Sequence, residues 1–198
     1  MTQLVLGSTS PFRKALLEKF NVDFCCAKPN IDETPFDNES PKELVARLAQ
    51  QKAKAVSNDY TDALIIGSDQ VAVSDGLILG KPHNFDNAVK QLTSFSGKTV
   101  TFLTGLSLYN SASKNMQTIV EPFYVKFREL SYSEIAAYLH AEEPYNCAGS
   151  FKSEALGICL FESLSGDDPN TLIGLPLIKL HALLKNEGFD VLSKQGKT

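Results

Sequence analysis

Apolar positions recur along this chain with two periods, one helical and one extended. Gln3-Leu4-Val5-Leu6 is a short apolar run that predicts a buried strand. After a serine-rich turn, Phe12, Leu16 and Phe20 fall at i, i+4 and i+8, one face of a helix. Ser10 suits the N-cap of that helix and Pro11 its first position. Leu44, Val45, Leu48, Ala49 and Val56 form the stripe of a second helix. The capping box Ser40-Pro41-Lys42-Glu43 opens it, and it runs through about Val56. Ala63-Leu64-Ile65-Ile66-Gly67 predicts a buried strand that Val71-Ala72-Val73 continues. Ser74-Asp75-Gly76 is then a turn and Leu77-Ile78-Leu79 the return strand. Phe85, Ala88, Val89 and Leu92 mark a third helix, closed near Gly97. Thr99 to Tyr109 and Gln117 to Phe127 are β-rich, with polar Asn110 to Asn115 between them as a long hairpin. Ser131-Tyr132-Ser133-Glu134 opens a helix to about His140. Ser150 to Phe161 mixes loop and strand, and the last helix runs from about Pro176 to Asn186, with Gly188 beyond it. Strands and helices alternate early and antiparallel strands follow. That order predicts an α/β fold with a mixed, twisted central sheet and flanking helices.

A few residues break the pattern, and they carry the candidate chemistry. Counting about 100° per residue from Leu44, Leu48 lies at about 40°, Val45 at about 100° and Ala49 at about 140°. Lys52 falls at about 80°, inside the stripe. A lysine there snorkels or meets an anion, and a phosphate at the end of that face accounts for it. Gly67-Ser68-Asp69-Gln70 interrupts an apolar strand and puts Asp69 at a strand end, where α/β proteins place catalytic groups. A bulge or a bonded structural aspartate is the other reading. Glu33, Lys52 and Lys81 are its available partners. Asn30 to Pro35 reads as a loop whose acids, Asp32 and Glu33, diverge, so one at most points inward; two solvated acids fit as well. Gly80-Lys81-Pro82 brings an ammonium toward the Asp69 end of the hairpin, or leaves a surface lysine in a turn. Gly166-Asp167-Asp168-Pro169-Asn170 reads as turn and N-cap residues before the last helix. At the first helix, backbone N–H groups attract anions, and Ser8, Ser10 and Arg13 add donors suited to phosphate. An ordinary capped helix with a surface arginine fits that local pattern equally.

Composition narrows the class. The 198 residues fit one domain, or one domain with two lobes, and are read as a single domain over 1–198. An apolar content of 43% and a charged content of 21% are those of a globular protein. No apolar run reaches membrane-spanning length and the N-terminus carries no secretion signal, so the expected location is cytoplasmic with no membrane partner. The net charge of -4 argues against a nucleic-acid partner and makes any polyphosphate site local, built from a few basic groups and a metal. Cys25, Cys26, Cys147 and Cys159 have no metal-ligand spacing and read as reduced, packed thiols. His83, His140 and His181 are scattered and read as structural. There is no GxxxxGK[ST], GxGxxG or GxSxG. What remains, carboxylates with Lys, Arg and Ser, suits Mg²⁺-assisted attack of water on a phosphoanhydride.

Several of these segments together resemble the Maf family of nucleoside triphosphate pyrophosphatases. They are Ser8-Thr9-Ser10-Pro11-Phe12-Arg13, Asp32-Glu33-Thr34, Lys52 with Ala53-Lys54-Ala55, Gly67-Ser68-Asp69-Gln70, Gly80-Lys81-Pro82 and Thr104-Gly105. The likeness extends from Leu4 to about Leu184. Cys147 to Glu154 and Gly166 to Thr171 look most like the 7-methyl-GTP pyrophosphatase subgroup. The resemblance implies two lobes around a deep cleft and a homodimer. It implies Asp69 as the base that activates water, and Glu33 with Asp69 as ligands of a divalent cation, Mg²⁺. It further implies Arg13, Lys52 and Lys81 on the phosphates, helped by Ser8 and Ser10. Base selectivity falls to Phe12, Gln70 and Glu154; the subgroup carries tryptophan where this chain has Phe12. Stacking on the cationic 7-methylguanine gains roughly 0.5–2 kcal/mol, and Glu154 would accept from the guanine N1–H and N2–H₂ edge. Asp167, Asp168 and Asn170 either line the cleft or cap the last helix. Two other readings stand beside this one: a dTTP/UTP pyrophosphatase of the same family, and a nucleotide-binding regulator of septum formation.

Overall fold

Helix starts follow from local chemistry. The computed structural model describes residues 2–194. β1 (Gln3–Leu6) leads into α1 (Pro11–Glu18), whose N-cap Ser10 accepts from the Arg13 N–H with Pro11 in the first turn. β2 (Cys25–Cys26) and an irregular loop precede α2 (Pro41–Ala55). There Ser40 and Glu43 exchange side-chain and backbone hydrogen bonds as a complete capping box. β3 (Ala63–Ser74), β4 (Leu77–Leu79) and α3 (Phe85–Phe95) come next, then the long strands β5 (Thr99–Asn110) and β6 (Met116–Phe127). A second capping box, Ser131 with Glu134, opens α4 (Tyr132–Glu142). β7 (Phe161–Ser165), α5 (Asn170–Ile173) and α6 (Leu177–Asn186) complete the order.

The strands form a seven-stranded sheet in the order β2-β1-β3-β5-β6-β7, with β4 on β3. β1 runs parallel to both β2 and β3, whereas β4 and β7 pair antiparallel with β3 and β6. The sheet is therefore mixed, as the order of elements predicts.

Of four expectations, three are corrected and the second is met. First, β3 runs unbroken through Gly67-Ser68-Asp69-Gln70, so Asp69 lies within a strand and not at its end. The polar residues do not need solvent there: Ser68 donates to the Gly174 carbonyl at 2.8 Å and Asp69 accepts from Lys52 at 2.6 Å. Second, the long hairpin across Asn110 to Asn115 is present, with β5 and β6 joined by a tight turn. Asn110 Oδ1 accepts from the N–H groups of Ala112 and Ser113, both at 3.1 Å, and its own N–H donates to Asn115 O at 2.9 Å. Third, half of Ser150 to Phe161 is 3₁₀ turn (the end of Ala148–Ser150, and Leu156–Leu160), and the strand begins only at Phe161. Fourth, Asp168 and Asn170 start the short α5 before α6; Asp168 is buried and accepts from the Asn170 N–H at 2.8 Å.

The chain divides into two compact units. One comprises residues up to Asp69, Thr104–Glu121 and the chain from Gly174. Its centre is α2, whose buried face is Leu44, Val45, Leu48, Ala49, Lys52 and Ala53. Glycines let that helix lie directly on the strands. A Cβ on Gly67 would come within 2.0 Å of Ala49 O, and one on Gly105 within 2.1 Å of Val45 O. The other unit, Gln70–Leu103 with Pro122–Ile173, has an aromatic core. In it the Phe127 ring lies 5.2 Å from Phe95, 5.7 Å from Phe151 and 5.2 Å from Phe161.

Candidate active site

The site is built around a buried lysine. Lys52 sits in the apolar face of α2, as the angular count predicts, with only 6% of its surface exposed. A cation so placed must be paired, and two carboxylates meet it. Asp69 Oδ1 is 2.6 Å and Glu33 Oε1 2.9 Å from Lys52 Nζ. Asp69 is itself buried, held by the middle of β3, whereas the Glu33 side chain is 58% exposed on the loop before α2. Only Glu33 of the two neighbouring acids turns to the lysine. Asp32 instead accepts from Thr34 N at 2.9 Å and Thr34 Oγ1 at 2.6 Å, bonds that hold its carboxyl below the usual range.

Arg13 joins this cluster through the first turn of α1. Its Nε donates to Gly174 O at 3.0 Å, the carbonyl that also accepts from Ser68 at 2.8 Å. Burial pushes the guanidinium down from its ordinary value, and the charges of Asp69 and then Glu33 pull it back up. An arginine stays protonated through such shifts. Ser8 is buried and its Oγ accepts from Ser10 N at 3.1 Å, while Ser10 Oγ accepts from Arg13 N at 3.4 Å. The turn thus presents the donor end of an eight-residue helix beside a guanidinium.

Of the remaining predicted residues, two neighbour this cluster in sequence and two lie elsewhere. Phe12 lies on α1 with 38% of its surface exposed. Gln70 follows Asp69 on β3 and donates from Nε2 to the carbonyls of Thr171 at 2.8 Å and Leu172 at 3.1 Å. Lys81 is exposed just after β4, and the register Ala72↔Leu79 sends that segment back along β3 toward Gln70. Glu154 is exposed in the turn before Leu156. Three contributors escaped the sequence reading: Ser68, Gly174 and Arg47. Ser68 and Gly174 act through one carbonyl 106 positions away in sequence, a separation no local pattern encodes.

Glu33 and Asp69 converge on one cation, and paired carboxylates are what Mg²⁺ takes up together with substrate phosphates. No cluster of three or more His, Cys, Asp or Glu able to hold a metal occurs among the described residues. Two carboxylates alone are an all-oxygen donor pair of the kind a hard cation takes.

Comparison with known proteins identifies the family. The family model described as Maf-like protein matches residues 3–187. A 7-methyl-GTP pyrophosphatase of Colwellia psychrerythraea is 67% identical over 197 residues, covering 100% of this chain and 98% of the relative. One of Pseudoalteromonas translucida is 59% identical over 195 residues, covering 98% and 96%. Among solved structures, the Staphylococcus aureus Ham1 protein aligns with a TM-score of 0.53 at 14% identity, over 94% of this chain and 100% of that one, a likeness of fold alone.

Proposed function

The chain belongs to the Maf family, and from that premise we propose that it hydrolyses 7-methyl-GTP to 7-methyl-GMP and diphosphate. The observation that carries the chemistry is Lys52, buried in α2, with Asp69 at 2.6 Å and Glu33 at 2.9 Å. The base is assigned from the two relatives, which bear that substrate in their names.

In this reading Lys52 fixes Asp69 by its Oδ1 and leaves Oδ2 for the attacking water. The water oxygen bonds to the α-phosphorus as its proton passes to Asp69, and the bond from the α-phosphorus to the bridging oxygen breaks. The electron pair of that bond leaves with diphosphate. An ordinary aspartate is ionised at neutral pH, so the task of Asp69 is to orient the water. Arg13, the α1 N-terminus with Ser8 and Ser10, and Lys81 hold the phosphates. Glu33 and Asp69 would hold Mg²⁺, which neutralises charge developing on the phosphate oxygens when bound. Phe12 stacks on the base, and Gln70 and Glu154 read its edge. Four free cysteines suit a reducing cytoplasm, and no helix among the described residues is long and apolar enough to cross a membrane. A homodimer is assigned by family resemblance and is read by light scattering.

The test is pyrophosphate release from 7-methyl-GTP, GTP, dTTP, UTP and CTP with Mg²⁺, beside Asp69→Asn. Release is expected from 7-methyl-GTP first, falling by about 10²–10⁴-fold in the variant. Release led by dTTP or UTP overturns the base, and nucleotide binding without release overturns the enzyme.

A further inference from the structure

Glu33 lies on a loop with no regular structure, yet its carboxylate meets Lys52 at 2.9 Å. Something must hold that loop, because ordering a segment without regular structure costs backbone entropy at each residue fixed. The residue that does so is Arg47. Its guanidinium forms a two-point pair with Glu39, Nε to Oε1 at 2.6 Å and Nη2 to Oε2 at 2.7 Å. Nη2 also donates to the carbonyl of Thr34 at 3.1 Å, and Nη1 to Gln51 Oε1 at 3.1 Å. The guanidinium carbon lies 3.9 Å from the centre of the Phe36 ring. One side chain thus fastens the loop at Thr34, Phe36 and Glu39. Arg47 and Glu39 are largely shielded, at 16% and 7% side-chain exposure, unlike an ordinary surface ion pair.

The geometry matters for the site because of where the fasteners fall. Thr34 is the next residue after Glu33, and it also ties back Asp32 through two bonds. Both neighbours of Glu33 are therefore fixed, which leaves its side chain to face Lys52. Arg47 and Lys52 stand five positions apart on the same helix, so α2 holds the loop with one residue and receives its carboxylate with the other. We propose that Arg47 is a positioning residue for Glu33, setting the orientation of the loop acid without touching the substrate. The proposal rests on the reading of Glu33 as part of the catalytic cluster.

Lysine cannot replace the planar fork at such a site. The experiment measures kcat and KM for 7-methyl-GTP in Arg47→Ala, Arg47→Lys and Glu39→Gln, each alone and combined with Glu33→Gln, together with amide hydrogen exchange over residues 32–39. We expect Arg47→Ala to lower kcat about tenfold while KM stays within about twofold. Arg47→Lys should restore little, exchange over 32–39 should quicken, and Arg47→Ala should cost the Glu33→Gln protein nothing further. Glu39→Gln, which leaves α2 intact, shows a smaller loss of the same kind and stands in if Arg47→Ala does not fold. Wild-type turnover in Arg47→Ala beside an impaired Glu33→Gln overturns the proposal alone. So do full rescue by Arg47→Lys and an equal loss in both backgrounds. Wild-type turnover in Glu33→Gln itself overturns the reading of Glu33.

Discussion

At the scale of single residues, the site is set by what each charge is allowed to face. Lys52 was legible in the sequence because it is a lone charge inside an apolar stripe, and burial makes such a placement costly unless an anion answers it. Arg47 was not legible. It lies at about 300° on the same count, off the stripe, where a charge needs no explanation; its partners come from a loop with no period to read. Phe12 offers a direct test of base recognition. It is 38% exposed, so a larger ring meets little packing resistance. Tryptophan is the better cation–π partner, worth about 0.5–1 kcal/mol at an exposed site. Phe12→Trp should therefore raise the kcat/KM ratio of 7-methyl-GTP over GTP, by at most about fivefold, and steady-state assays with both nucleotides would check it. An unchanged ratio would remove Phe12 from the base contact.

At the scale of elements, close approach and capping decide position. Gly67→Ala puts a Cβ into the space of Ala49 O and Ala53 N, on either side of Lys52. Overpacking of this kind costs about 1–3 kcal/mol, and α2 must shift away from Asp69 to relieve it. Urea unfolding should show the loss of stability, and kcat should fall in protein that is still folded; a fully active variant would show that the helix is not held by this contact. The capping box of α4 gives a prediction in pH. The backbone and hydroxyl of Ser131, and then Arg128, hold the Glu134 carboxyl down to about 2. A depressed acid stabilises the fold above its unfolded pKa of about 4.3, and the gain is lost as pH falls toward 2. The difference in denaturation midpoint between wild type and Glu134→Gln should thus be constant near neutrality and shrink between about pH 4 and 2. Both capping boxes were readable because they use fixed spacings of three residues. That β3 continues through Val71-Ala72-Val73 was readable too, but not that Gly67 to Gln70 stay within it, since a polar run normally ends a buried strand and the partners that make it tolerable, Gly174 and Lys52, are distant. The two-residue β2 and four-residue α5 are too short for any period to appear.

At the scale of the whole molecule, β3, β5 and β6 each supply residues to both compact units, so the units are not separate pieces of chain. Phe127 is among the largest fully buried side chains and touches three other rings. Phe127→Ala should cost about 3–5 kcal/mol. Because the strands are shared, fluorescence, circular dichroism and activity should be lost together in one transition at a lower temperature; activity that outlasts the fluorescence change would argue for independent unfolding. The mixed sheet was legible at this scale from the order of strands and helices alone. The strand order was not, because hydrogen-bond partners far apart in sequence leave no local trace. The backbone contact between α2 and its two glycines also has a dielectric consequence. With strand and helix held close, the Lys52 side chain is 8% exposed and that of Asp69 11%, against 58% for Glu33, so the lysine's field is screened mainly from the side occupied by Glu33. Added salt enters from that side first. Rising ionic strength should loosen the lysine's hold on the loop acid well before it weakens its grip on Asp69, leaving the buried pair as the part of the charge pattern that persists in concentrated electrolyte.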